Sequence, residues 1–393
     1  MATISRGIKA PIIREGDDIV SIVCDCVLSA SKEQGFTLKG RDVVAVTEAV
    51  VARAAGNYAT VDAIAEDVRR KLGGNTIGLV FPILSRNRFA ICLRGIARGA
   101  RKVVVQLGYP SDEVGNHLVD IDALDDSGID PYKDVLSVAQ FRQHFGTPLH
   151  PFTGVDYISY YTQLIEEEGA EAEIILANRP EAILAYSDKV LCCDTHTRFR
   201  TQRRILAAGA DVCLTLCDIL NAPVNGSGYN EKYGLLGSNK ATEGVVKLFP
   251  NNAQEVAEAI SARLCAATGK RIETMVYGDG AFKDPVGKIW ELADPVVSPG
   301  FTDGLNGLPN ELKLKYLADN DFADLKGEEL RSAIENAIRK KDADLKGSMA
   351  TQGTTPRRLT DLLGSLCDLT SGSGDKGTPI VYIQGYFDNY TND

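Results

Sequence analysis

Apolar positions recur along the chain in two rhythms. Short β-branched runs bounded by turn residues read as buried strands, and longer stretches with apolar residues three and four apart read as helices packed on one face. Asp42–Val46 is such a strand, and Thr76–Phe81, Lys102–Leu107, Ala172–Ala177, Lys189–Cys193, Val212–Leu216, Thr274–Tyr277 and Ile380–Gln384 follow it. Helical spacing marks Gly16–Leu28, Thr60–Leu72 with Thr60 as its N-cap, a basic Thr197–Ala208, Ala253–Thr268, Gly327–Lys341 and Leu359–Thr370. Thr47–Ala55 fits either a helix or the exit of the preceding strand, and Gly56-Asn57 stops it. Residues 108–175 are rich in Asp, Gly and Pro and hold no sustained period. Residues 225–244 are rich in glycine, 298–310 read as a loop, and 342–358 as a mobile connection. Strands alternating with helices predict an α/β fold.

Length and charge narrow the function classes. A chain of 393 residues accommodates two or three domains or one two-lobed enzyme. Apolar residues at 44% and charged residues at 24% are the balance of a globular protein, so a core is expected. The net charge of −10 offers no general attraction for nucleic acid or anionic lipid, and no basic motif argues otherwise. No apolar run reaches the roughly 18 residues of a membrane span, and no charged leader precedes an apolar core, so a cytoplasmic protein is expected. The nine cysteines form no CxxC pair and sit mainly in apolar stretches, which predicts buried free thiols in a reducing compartment. Cys192-Cys193, followed by Asp194 and His196, imitates a metal site, but adjacent residues of a strand point to opposite faces. His117, His144, His150 and His196 are too scattered for a histidine-based metal centre, and no Gly-x-Ser-x-Gly elbow is present.

Candidate chemistry lies in three glycine-bearing segments. Ser371-Gly372-Ser373-Gly374-Asp375-Lys376-Gly377-Thr378 precedes the last strand. Its glycines let backbone N–H groups approach phosphate oxygens, and Lys376 adds a mobile positive charge. The spacing is not that of a Walker loop, and a plain helix-to-strand turn explains the residues equally well. Tyr277-Gly278-Asp279-Gly280 puts a carboxylate at a strand end, a common place for a metal ligand, although Asp-Gly turns are frequent. In Gly237-Ser238-Asn239, Ser238 and Asn239 could contact a phosphate or an amide, or simply cap the next element. Arg198, Arg200, Arg203 and Arg204 could grip an anionic substrate, but such a run is more often the solvated face of a helix.

Taken in order, these segments resemble the CofE-like gamma-glutamyl ligases of deazaflavin coenzyme biosynthesis. Ala10-Pro11-Ile12-Ile13-Arg14-Glu15-Gly16-Asp17-Asp18 resembles that family's Leu-Pro-x-Ile-x-Glu-Gly-Asp-Asp opening. Asp42–Val46 with Thr47-Glu48 and Arg53-Ala54-Ala55-Gly56 resembles its next block, Gly237-Ser238-Asn239 its Ala-Ser-Asn, Tyr277-Gly278-Asp279 its metal-binding strand end, and Gly372–Pro379 its Gly-Glu-Gly-x-x-Gly-x-Pro loop. The resemblance implies two interwoven α/β lobes of the ligase fold with inserted segments, usually in a homodimer. It implies GTP, or ATP, as co-substrate and Mg2+ or Mn2+, with K+ as an optional further cation. It implies activation of a small carboxylate as an acyl phosphate and its coupling to an amino acid such as L-glutamate.

By the same analogy, Pro11, Ile12, Ile13, Glu48, Arg53, Ser238, Asn239 and the loop Ser371, Gly372, Ser373, Gly374, Asp375, Lys376, Gly377 and Thr378 line the nucleotide site. Asp279 holds the metal and, with Lys376, is catalytic. The chain departs from the family at Glu48, at Arg53 in place of Lys, at Gly280 in place of Thr, and at Leu236, where a second metal-binding Asp is expected. Glu231, Asp284, Glu291 and Asp375 are candidates to replace that ligand, with Asp284 ranked first. The expected organisation is a ligase core built from 1–74 and 226–393, with an inserted or divergent α/β region at 75–225. A nucleotide-binding protein without ligase activity, or an NTP hydrolase or phosphotransferase, remains the alternative that the loss at Leu236 favours.

Overall fold

A computed structural model describes residues 2–151, 153–278, 282–283, 290–291, 298–351, 357–372 and 374–391. Its strands are β1 (Ile4–Ile8), β2 (Val43–Thr47), β3 (Tyr58–Thr60), β4 (Thr76–Val80), β5 (Lys102–Leu107), β6 (Leu136–Ser137), β7 (Glu171–Leu176), β8 (Lys189–Cys192), β9 (Val212–Thr215), β10 (Asn239–Thr242), β11 (Val245–Lys247), β12 (Glu273–Tyr277), β13 (Phe282–Lys283), β14 (Trp290–Glu291), β15 (Gly300–Phe301) and β16 (Ile380–Gln384).

The two ends of the chain build one lobe. Its five-stranded sheet has the order β1-β16-β2-β12-β15, with β2 and β12 parallel and the other neighbours antiparallel. The period-two alternation of β2 sorts its side chains onto both faces. Val44 and Val46 pack against the helices Ile19–Gln34 and Ala253–Thr268, while Val43 and Ala45 pack with Leu363 and Cys367 of the helix Leu359–Ser371. Burial on both faces is why this strand reads as a continuous apolar run.

The middle of the chain builds the second lobe around a six-stranded sheet of order β6-β7-β5-β4-β8-β9. All pairings are parallel except that of β6 at the edge. The helices Val61–Leu72, Phe89–Arg98 and Tyr157–Glu167 cover one face, while Ile183 and Ile205, the latter in the helix Arg198–Ala207, cover the other. This core also takes in Ile64 and Val68 before it, and Leu235, Leu236, Val246 and Leu248 after it. The lobe therefore draws on more of the chain than residues 75–225. A small sheet of order β10-β11-β3 lies at its margin.

Several elements differ from the sequence reading. Phe89–Arg98 is a helix absent from the sequence reading; it is buried except along one narrow polar line, Arg94 and Arg98, which both pair with Glu168 at 2.6 Å. The stretch 108–175 holds the helices Ile121–Asp126, Val138–Phe145 and Tyr157–Glu167, capped by Asp120, Ser137 and Asp156. Within 298–310, β15 adds to the edge of the first sheet. Cys24, Cys92, Cys192, Cys193, Cys213 and Cys367 are buried free thiols, whereas Cys265 is exposed. Among the described residues no helix is long and apolar enough to cross a membrane.

Candidate functional site

The register of the first sheet brings four of the singled-out segments to one end. Tyr277, the last residue of β12, lies opposite Thr47, the last of β2. β16 runs the other way, with Ile380 opposite both Val46 and Ile8. The chain therefore leaves this end as 9–13, as 48–53 and as Gly278 onward, and enters it through 371–379. Backbone hydrogen bonds fasten these segments together: Ala10 N donates to Gly377 O at 3.1 Å, and Thr47 N to Pro379 O at 3.0 Å.

The 371–378 loop is braced at its base and open at its tip. Thr378 Oγ1 donates to Ser371 O at 2.6 Å, closing the loop. Gly374–Lys376 form one 3-10 turn, and Asp375, Lys376 and Gly377 are exposed. Gly372 has φ 62° and ψ 174°, a conformation open essentially to glycine alone. A Cβ there would come within 2.9 Å of Lys376 Nζ, so the lysine side chain lies folded back across Gly372. Ser373 lies outside the described residues.

The N-terminal segment is anchored by Ile13, which is buried, and presents Pro11 and Ile12 to solvent, Ile12 at 80% exposure. Gly16 N donates to Ala54 O at 2.9 Å, which docks the Glu15-Gly16-Asp17-Asp18 turn on the end of the helix Glu48–Ala54. Asp18 caps the helix Ile19–Gln34 by accepting from Ser21 N at 3.0 Å. Arg53 is exposed in the last turn of its helix. Burial pushes the neighbouring Tyr58 phenol up in pKa; the Arg53 charge opposes that shift and the Glu15 charge adds to it. The segments leaving this end thus carry Lys9, Arg14, Arg53 and Lys376, all exposed, on a chain that is acidic overall.

Other singled-out residues are placed elsewhere. Glu48 is buried and its carboxylate pairs with Lys247 of β11, so its charge is directed toward the β10-β11-β3 sheet. No local pattern could have announced Lys247, which is 199 positions away. Ser238 is 2% exposed and lies 3.2 Å from Cys92 Sγ, inside the second lobe. Asn239 begins β10 opposite Lys247. Leu236 is buried in the apolar core of the second lobe, surroundings that suit leucine and not a charged metal ligand. Of the arginine run, Arg204 pairs with Glu181 at 2.6 Å and Arg198 stacks on Phe199 at 4.5 Å, while Arg200 and Arg203 face solvent. That is the solvated helix face.

Asp279 and Asp284 lie outside the described residues. Among the described residues no group of three or more His, Cys, Asp or Glu side chains could hold a metal ion. Of the candidate replacements for a ligand at Leu236, Glu231 and Asp375 are exposed. The described chain reaches the sheet end at Tyr277-Gly278.

Compared with known proteins, residues 7–385 match the family model described as F420-0:Gamma-glutamyl ligase. The match runs through the second lobe as well as the first. No curated protein matches the chain.

Proposed function

Because the chain belongs to the F420-0:gamma-glutamyl ligase family, we propose that it couples a small carboxylic acid to an amino acid such as L-glutamate at the expense of GTP or ATP. The observation that carries this reading is the convergence of 9–13, 48–53, Gly278 and 371–379 at one end of the first sheet. A glycine-bearing loop, an exposed lysine and an exposed arginine collected there suit a polyphosphate.

In this reading the NTP lies against the 371–378 loop, whose amides and Lys376 neutralise the phosphates. Arg53 contributes charge from the neighbouring helix. Mg2+ or Mn2+, held by Asp279 and a further carboxylate for which Asp284 is the leading candidate, supplies charge neutralisation on the transferring phosphoryl group. K+ as a further cation, a homodimeric assembly and a cytoplasmic setting belong to the same proposal. A carboxylate oxygen of the acid attacks the γ-phosphorus, and the nucleoside diphosphate leaves. The amino-acid nitrogen then attacks the acyl carbon. Phosphate departs with that carboxylate oxygen, and the amine releases a proton. The work asked of the protein is positioning and charge stabilisation, so no protein nucleophile is required.

The test is an isotope experiment. With an acid labelled by 18O in its carboxylate, one label should appear in the released phosphate for each amide formed. Phosphate without label, or released without amide, would identify an NTP hydrolase or phosphotransferase instead.

A further inference from the structure

The small sheet of order β10-β11-β3 has two unlike faces. Its pairings are antiparallel, with Asn239 opposite Lys247 and Lys247 opposite Tyr58. Directly opposed residues point to the same face of a sheet, and neighbours along a strand point to opposite faces. One face therefore carries Val246 and Ala59, which are buried in the core of the second lobe. The other carries the row Asn239, Lys247 and Tyr58, all half-buried.

That row is turned toward the first lobe, because Lys247 pairs with the Glu48 carboxylate. Glu48 opens the helix Glu48–Ala54 directly after Thr47, the last residue of β2. The ammonium thus reaches the sheet end where 9–13, 48–53, Gly278 and 371–379 converge. Glu48 is buried there, and a lone carboxylate beside phosphates would repel them; Lys247 offsets its charge. Among the described residues Glu48 is the one acceptor that Lys247 Nζ meets, and an ammonium carries further N–H donors. Tyr58, next in the row, lies within electrostatic reach of Arg53 and Glu15. Beyond Tyr58 this face stays open, as a groove lined by Tyr58, Thr60 and Val245 on one side and Asn225 and Ser227 on the other.

On the NTP-dependent reading proposed above, on which this rests, we infer that Lys247 is a phosphate-binding residue of the same site, shared between the Glu48 carboxylate and the polyphosphate of the NTP. The row Asn239, Lys247 and Tyr58 then supplies a further wall of that site, contributed by the small sheet. Glu48 holds the lysine in place, and Lys247 cancels the acid's charge and turns its remaining donors to phosphate oxygens. Contacts from a cation to an anionic oxygen are stronger than neutral hydrogen bonds, so one such lysine is a sizeable part of the affinity.

The test measures binding of GTP and of ATP to the full chain with Mg2+ by calorimetry, and it needs no acceptor acid. Glu48→Gln leaves the ammonium undivided and should bind the NTP at least as tightly as the wild type. Adding Lys247→Met to Glu48→Gln gives a neutral pair of similar shape, and should weaken NTP binding at least about tenfold relative to Glu48→Gln. A pair that only ties the lobes together predicts equal affinity for those two variants. A second measurement uses the wild-type chain and so does not depend on the variants folding. A GTP or ATP derivative acylated on its terminal phosphate passes the acyl group to a lysine amine lying beside the phosphates. It should label Lys247, and excess GTP or ATP should prevent the labelling. Equal affinity of the single and double variants, or no protectable label on Lys247 in a wild type that binds the nucleotide, overturns the inference and leaves the NTP-dependent reading standing. A wild type that binds neither nucleotide overturns that reading and the inference with it.

Discussion

Substituting Gly372 by alanine tests whether the position of Lys376 matters to the nucleotide. Two effects follow from the structure. The residue must hold φ 62° and ψ 174°, which costs a Cβ-bearing residue on the order of 1–3 kcal/mol. The new Cβ would also meet Lys376 Nζ and Cδ at 2.9 Å, and the flexible lysine side chain is the partner that gives way. Lys376→Ala alone should raise the nucleotide KM or lower kcat by at least about tenfold, roughly 1.4 kcal/mol. Gly372→Ala should do about the same, because it displaces the same ammonium group. The two changes act through one contact, so the double variant should stay near tenfold rather than reach a hundredfold, a coupling of about 1.4 kcal/mol. The assay is steady-state kinetics on the four proteins, with urea unfolding to show that each is folded. Fully additive losses, or a Gly372→Ala enzyme with unchanged KM and kcat, would show that the lysine's place over Gly372 has no bearing on the phosphates.

Asp279→Asn should abolish turnover while leaving the circular dichroism spectrum and unfolding midpoint unchanged; retained metal-dependent turnover would remove Asp279 from the metal site. Asp67 is fully buried and accepts from Arg70 at 2.6 Å, Lys71 at 2.7 Å and the Leu220 N–H at 2.7 Å. Asp67→Ala should therefore cost about 3 kcal/mol in urea unfolding, the low end for breaking a buried pair because Arg70 reaches solvent; a loss below about 1 kcal/mol would contradict this. Burial raises the Cys24 and Cys92 thiols to about 11, so at pH 8 both are almost wholly protonated, and their thiolate fraction grows only as pH approaches that value. Ellman's reagent at pH 8 should therefore react promptly with exposed Cys265 and with Cys24 and Cys92 only on unfolding, and Cys265→Ser should remove the fast phase.

Much of the fold is legible in the sequence where one physical signal dominates. Asp42–Val46, Lys102–Leu107 and Ile380–Gln384 are β-branched runs buried on both faces, and Thr60 caps its helix by accepting from Ala63 N at 3.1 Å. The signal fails where the environment erases it. β1 is an edge strand whose Ile-Ser-Arg-Gly-Ile has one buried residue, so its apolar pattern is thin. Phe89–Arg98 carries Gly95 because the helix Val61–Leu72 lies so close that a Cβ would meet Ile64 at 2.6 Å, and a glycine in mid-helix hides the element. Ser137-x-x-Gln140 is a capping box that sequence alone could have yielded.

Read from the residues alone, the candidate site is a set of separate segments, and only the family resemblance collects them into one place. Ala10 and Gly377 are distant in sequence and adjacent in space, a fact set by the β1–β16 pairing. Ser238 is placed differently. Its neighbours in sequence resemble the nucleotide block, yet its side chain is buried in the second lobe against Cys92. The pairing of Glu48 with Lys247 likewise depends on the β11–β3 register, which no local motif encodes.

The most direct test of the ligase account is stoichiometric. Phosphate release from GTP and from ATP is measured with Mg2+ or Mn2+, against a panel of small carboxylic acids, each with and without L-glutamate and other amino acids, while amide product is followed by mass spectrometry. The account predicts phosphate release that rises only when one particular acid and amino acid are both present, with one amide formed per phosphate. Release that is indifferent to the pair, or that proceeds without amide, would contradict it.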